Sequence, residues 1–74
     1  MKIVKEIDLT QEMTCVNFFN YIKDLLSGLS DDEYIKIIVK GYAETFTMIE
    51  WLKSLGRHIS EIVDSDDKKV IIVR

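Results

Sequence analysis

Proline is absent from the 74 residues, cysteine occurs once and glycine three times. No apolar run approaches the roughly 18 residues that would cross a bilayer, and basic residues are outnumbered, 10 Lys and Arg against 13 Asp and Glu. A single cysteine rules out an intramolecular disulfide and a Cys-rich zinc site, so no covalent or metal staple is expected and a reducing compartment is the default. A net charge of -3 offers no electrostatic footprint for a phosphate backbone, which argues against nucleic acid as a direct ligand. The opening Met1-Lys2-Ile3-Val4-Lys5-Glu6 has no uninterrupted apolar stretch ahead of a small-residue cleavage site, so no signal peptide is expected. The expected location is cytoplasmic, without membrane contact.

What is present is a globular composition, 47% apolar and 31% charged, too apolar for a disordered chain. One domain over residues 1–74 fits this length. A domain this small buries only roughly 60% of the surface its unfolded chain exposes, so the core alone must hold it together.

Periodicity divides the chain into six elements. Ile3, Ile7 and Leu9 share one face of a short peripheral strand, with Val4, Glu6 and Asp8 on the other. Cys15, Phe18, Phe19, Ile22, Leu25, Leu26 and Leu29 recur in steps of three or four and line one side of a helix. Thr14 is its expected N-cap, Met13 and Phe18 its hydrophobic staple and Gly28 its stop. Tyr34 to Lys40 carries Ile35, Ile37, Ile38 and Val39, the near-continuous run of a central strand. A second helix starts between Tyr42 and Thr47. Met48, Ile49, Leu52 and Leu55 are central on its apolar face, Phe46 and Trp51 lie at the margins, and Gly56 is the stop. Ile59 to Val63 is a weak strand, 64–68 a turn and Lys69 to Arg74 a strong strand. The order βαβαββ predicts an α+β two-layer sandwich: a four-stranded mixed sheet with both helices on one face and the last strand antiparallel.

This connectivity brings the start of the first helix, the Lys40–Ala43 turn and the 64–68 hairpin to one end of the sandwich. The Asp31–Glu33 loop and Arg57-His58 go to the other. Ligands of open α/β sheets bind beyond the carboxyl ends of parallel strands, here the end carrying Cys15. In the first turn of a helix, unpaired N–H groups and the dipole favour a thiolate, and Lys40 and Lys68 would add to this while Asp64, Asp66 and Asp67 would oppose it. The alternative is that Cys15 simply continues the apolar stripe as a small core-edge hydrophobe. His58 belongs to the opposite end, as a surface residue at the entry to a strand. The acidic turns at 31–33 and 64–67 lack the Gly and distal Glu of a calcium loop and read as solvated, so no metal is expected. The sheet face away from the helices, with Val4, Tyr34, Ile38 and either Val70/Ile72 or Ile71/Val73, is apolar enough to suggest a homodimer or a larger partner unless Lys2 and Lys36 cover it.

The segment Asp8-Leu9-Thr10-Gln11-Glu12-Met13-Thr14-Cys15-Val16-Asn17-Phe18, the element order, and a second helix running through Leu55-Gly56-Arg57-His58 into a strand resemble the TusA/SirA-type sulfur-carrier family over the whole chain. That family carries a persulfide on a cysteine at the start of the first helix, usually followed by proline; Val16 stands there in this chain. The resemblance implies that Cys15 accepts sulfane sulfur from a donor protein, such as a cysteine desulfurase or rhodanese, and passes it to an acceptor protein. It implies no metal or organic cofactor. The alternative is a non-catalytic interaction or regulatory module on the same scaffold. A bacterial initiation factor's C-terminal domain has a similar element order, but the acidic balance and the lack of clustered Lys or Arg argue against RNA.

Overall fold

The computed structural model describes residues 2–10 and 16–74. The elements are β1 (Lys2–Asp8), α1 (Val16–Ser27), β2 (Glu33–Lys40), α2 (Tyr42–Ser54), β3 (Ile59–Ser65) and β4 (Lys68–Val73). They form the expected α+β two-layer sandwich around one mixed sheet of order β1-β2-β4-β3. β1 runs parallel to β2, and β4 lies antiparallel to both β2 and β3. The central position of β2 follows from its composition. Ile35, Ile37 and Val39 are completely buried, and a strand with pairing on both sides and helices above it requires such a run.

The helix side of the sheet is settled by register. Ile37 sits beside Ile7 on one side and Ile71 on the other, and Ile35 sits beside Val73. Ile22 and Leu26 of α1 and Met48 and Leu52 of α2 close over these residues as one core. Between the helices, the Phe19 and Trp51 rings meet edge to face with centroids 4.8 Å apart, the arrangement that ring quadrupoles favour.

The other sheet face therefore takes Tyr34, Ile38, Val70 and Ile72, so of the two candidate pairs in the last strand it is Val70/Ile72 that lies there. In β1 the expected alternation fails. Ile3 pairs with Tyr34 and Lys5 with Ile35, leaving Val4 as the extra residue of a bulge. The bulge moves Ile3 off the face of Ile7 and onto the open side beside Tyr34, where it is 40% exposed. The open face is not bare. A Glu6–Lys36 ion pair at 3.7 Å lies on it, the Arg74 guanidinium stands over the Tyr34 ring at 5.7 Å, and Ile72 is only 9% exposed.

Turn chemistry explains the element ends. Gly41 caps α2 with φ 95° and ψ 144°, a region that side-chain-bearing residues avoid. Thr45 in the first turn is buried, and both its N–H (3.1 Å) and its hydroxyl (2.7 Å) donate to the Gly41 carbonyl. At the other end of α2, Gly56 has φ 74°. Its N–H donates to Lys53 O at 2.9 Å and the Arg57 N–H donates to Leu52 O at 3.1 Å, the paired bonds of a Schellman motif. Gly28 follows α1 without entering the left-handed region, so it ends that helix by a different geometry from the one expected. The β3–β4 hairpin is tighter than the sequence suggests. Pairing continues to Ser65 opposite Lys68, leaving Asp66 and Asp67 as the turn, with Asp66 at φ 56°.

Candidate functional site

The end of the sandwich where β1 and β2 finish assembles much as connectivity requires. The Leu9 N–H extends the parallel ladder by donating to Ile38 O at 2.8 Å. Asp8 then closes a turn on Thr10. Its carboxylate accepts from the Thr10 N–H at 2.9 Å and from the Thr10 hydroxyl at 2.6 Å. An Asp two residues before a Thr forms such a side-chain-closed turn because the short carboxylate reaches its own backbone. Hydrophobic periodicity is blind to this clamp, although the Asp-x-Thr spacing is its signature.

The clamp and the hairpin also share charge. Thr10's hydroxyl, then its amide, and to a smaller extent the charge of Lys68 hold the Asp8 carboxyl below the usual carboxylate range. Across the hairpin, Lys40 reaches Asp67 at 3.3 Å and holds that carboxyl below its ordinary value, chiefly by donating to it. Lys69 pairs with Asp64. Of the lysines expected to influence Cys15, Lys40 is thus occupied by one of the opposing acids. The Thr14 cap, the Met13–Phe18 staple and Cys15 itself fall outside the described residues. Val16, next in sequence to Cys15, is the first residue of α1.

Asp8 gives a pH test. A carboxylate with a depressed folded-state pKa stabilises the fold above the unfolded value, and loses that effect as pH falls through the folded value. Asp8 is fully exposed, so the consequence is local opening of the Thr10 turn. In an NMR titration, the Thr10 amide should move with a midpoint below about 3.9, and Asp8→Asn should abolish the transition. A midpoint at or above the ordinary value would show that the clamp does not form in solution.

The opposite end holds a shallow polar groove of about 220 Å³ whose lining includes Asp31, Arg57, His58 and Arg74. His58 and Arg74 exchange backbone hydrogen bonds at 3.0 Å, and Arg74 Nη1 donates to the Asp31 carbonyl at 2.6 Å. His58 is an exposed residue at the entry to β3, as connectivity required, and lies at the end away from Val16. The acidic turns stay dispersed. Among the described residues no group of three His, Cys, Asp or Glu side chains is arranged to hold a metal ion, and no helix is long and apolar enough to cross a membrane.

Compared with protein-family models, curated proteins and solved structures, the chain matches none.

Proposed function

We propose that the protein is a small sulfur carrier that forms a persulfide on Cys15 and relays the sulfur between partner proteins. The observation that supports this most is positional. Cys15 directly precedes the first residue of α1, in the connection leaving the carboxyl end of the parallel strand β1, where open α/β sheets take their ligands. A thiol at a helix start is favoured as thiolate. In the exchange, the Cys15 thiolate attacks the outer sulfur of a donor persulfide. The new S–S bond forms as the donor's S–S bond breaks, and the donor cysteine leaves as thiolate. The same step in reverse roles delivers the sulfur to an acceptor. No metal or organic cofactor enters the exchange, and a reducing, cytoplasmic setting suits it. The resemblance to sulfur carriers implies a donor protein such as a cysteine desulfurase or rhodanese.

The test is direct. With a cysteine desulfurase and free cysteine, intact mass should rise by one sulfur atom in the wild type and not in Cys15→Ser. Equal gain in the variant, or none in the wild type, would refute the reading.

A second reading is a non-catalytic interaction module, favoured by the exposed apolar side chains Tyr42, Phe46 and Ile62. It predicts slow alkylation of Cys15 by iodoacetamide across neutral pH and full retention of partner binding in Cys15→Ser.

A further inference from the structure

β3 is an edge strand, paired through β4 alone, and its outer backbone groups can be assigned. His58 and Arg74 form a doubly hydrogen-bonded pair. β4 pairs with β2 without interruption from Val73 to Lys68, so Arg74, Ile72 and Val70 turn their backbone groups toward β3 in the alternation of an antiparallel ladder. Their neighbours Glu61 and Val63 turn inward to meet them. Ile62 and Asp64 consequently direct N–H and C=O outward, where no strand of the described residues pairs with them.

The side chains along this edge are equally incomplete. Ile62 pairs with the core residue Ile71 and so lies on the helix side, yet it is 46% exposed. The flank of α2 facing the hairpin is apolar and uncovered: Phe46 is 60% exposed and Tyr42 88%. A hollow of about 150 Å³ lies between α2 and β4, lined by Tyr42, Thr45, Phe46, Ile49 and Lys69, and Lys69 is the register partner of Asp64 on β3. On the opposite face of the same strand stands Glu61, beside Ile72. Among the described residues neither Glu61 nor Asp66 at the hairpin tip has an ion-pair partner.

We propose that β3 and the flank of α2 together form a docking site for an extended segment of a partner protein, added as an outer strand. The segment is apolar at alternate positions and carries Lys or Arg between them. A strand laid about 4.8 Å outside β3 hydrogen-bonds to Ile62 and Asp64. It sets one row of side chains over Ile62 toward Phe46, and the other row on the open face beside Glu61. The first row meets Ile62 and then the already neutralised Asp64–Lys69 pair, and the second meets an unpaired carboxylate, so the alternation of the site prescribes the alternation of the guest. Charge selects the occupant. A second copy would bring a second set of the unpaired acids Glu61 and Asp66 to the same seam, in a chain whose net charge is already -3. The bulge between Ile59 and Glu61 further spoils a self-pairing edge. The acids that repel a copy favour a basic strand. This docking site stands independently of the sulfur chemistry of Cys15.

The probe is a fluorophore-labelled heptapeptide of alternating lysine and valine, titrated into the intact protein. It should bind and slow hydrogen exchange at the Ile62 and Asp64 amides, leaving the Val63 amide, already bonded within the sheet, unchanged. Three changes should each weaken binding by about tenfold or more, the scale of one or two lost hydrogen bonds or a lost charge contact. They are N-methylation of the peptide's valine amides, replacement of its lysines by glutamates, and Ile62→Pro, which removes an outward N–H without touching the β3–β4 ladder. Glu61→Lys, at an exposed site that leaves the fold intact, provides a second protein-side test with the same expected loss. Absence of binding, or binding indifferent to N-methylation and to both substitutions, would overturn the proposal. So would a protein that dimerises by itself with Ile62 and Asp64 protected, since the second copy would then be the occupant.

Discussion

Ile37→Ala should lower the unfolding free energy by about 2–5 kcal/mol, the range for truncating a buried isoleucine to alanine. Ile37 is fully buried at the centre of β2, flanked by Ile7 from β1 and Ile71 from β4. Its side chain therefore joins three strands on the helix side of the sheet. Removal leaves a cavity that none of these neighbours can fill, because each is held by its own pairing. A chain of 74 residues has a total stability of only about 4–11 kcal/mol, so the variant forfeits a large share of it and part of the population unfolds without denaturant. Trp51, the single tryptophan, packs against Phe19 and reports the transition in urea. The midpoint should fall steeply with an unchanged slope. A midpoint within error of the wild type would mean that the core does not pass through Ile37.

Gly41→Ala should destabilise the protein by about 1–3 kcal/mol, the cost of a side chain in a sparsely allowed backbone region. At φ 95° an alanine is strained whatever space surrounds it. A Cβ there also meets the carboxylate of Glu44, which folds back over the glycine. That carboxylate can swing away, so most of the loss comes from the backbone. Thr45 depends on the same conformation, since its hydroxyl and N–H both end on the Gly41 carbonyl. Gly28→Ala is the internal control. Gly28 is outside the left-handed region, and a Cβ there makes only ordinary contacts, the nearest at 3.8 Å. Alanine at 28 should therefore leave stability unchanged or raise it by about 0.4–1 kcal/mol through the unfolded chain's lost freedom. Equal losses at the two positions in urea titrations would refute the conformational distinction between them.

Where the fold is legible in the sequence, hydrophobic period makes it so. The steps from Phe18 to Leu29 and the run from Ile35 to Val39 each admit one element type, and their order prescribes which ends meet. Lys40 does meet Asp67, and His58 does share a groove with Asp31. What escapes the period are events that interrupt it. The bulge at Val4 leaves no mark in the alternation of β1, because Ile3 is apolar on either face and nothing local records the slip. The order β1-β2-β4-β3 has a trace in the residue pattern, since the Val70–Val73 run suits an interior strand and the weaker 59–63 an edge. At the candidate site, the Asp8–Thr10 clamp is a local signal that spacing alone can reveal. The partnership of Lys40 with Asp67 depends on how tightly the hairpin turns, and that tightness comes from Asp66 adopting a positive φ, a choice made by single residues rather than by pattern.

The sheet order carries a consequence for the history of each molecule. β4, the last of the four described strands in chain order, is inserted between β2 and β3 and, among the described residues, supplies the only pairing that joins them. While a ribosome still holds residues 68–73, β2 has one bare edge, β3 has no neighbour, and the apolar sides of both helices face an unfinished platform. Domains usually fold as units during translation, but here the keystone of the sheet arrives after every other strand. A chain truncated ahead of Lys68 would keep the β1–β2 pair but lose the strand that joins it to β3.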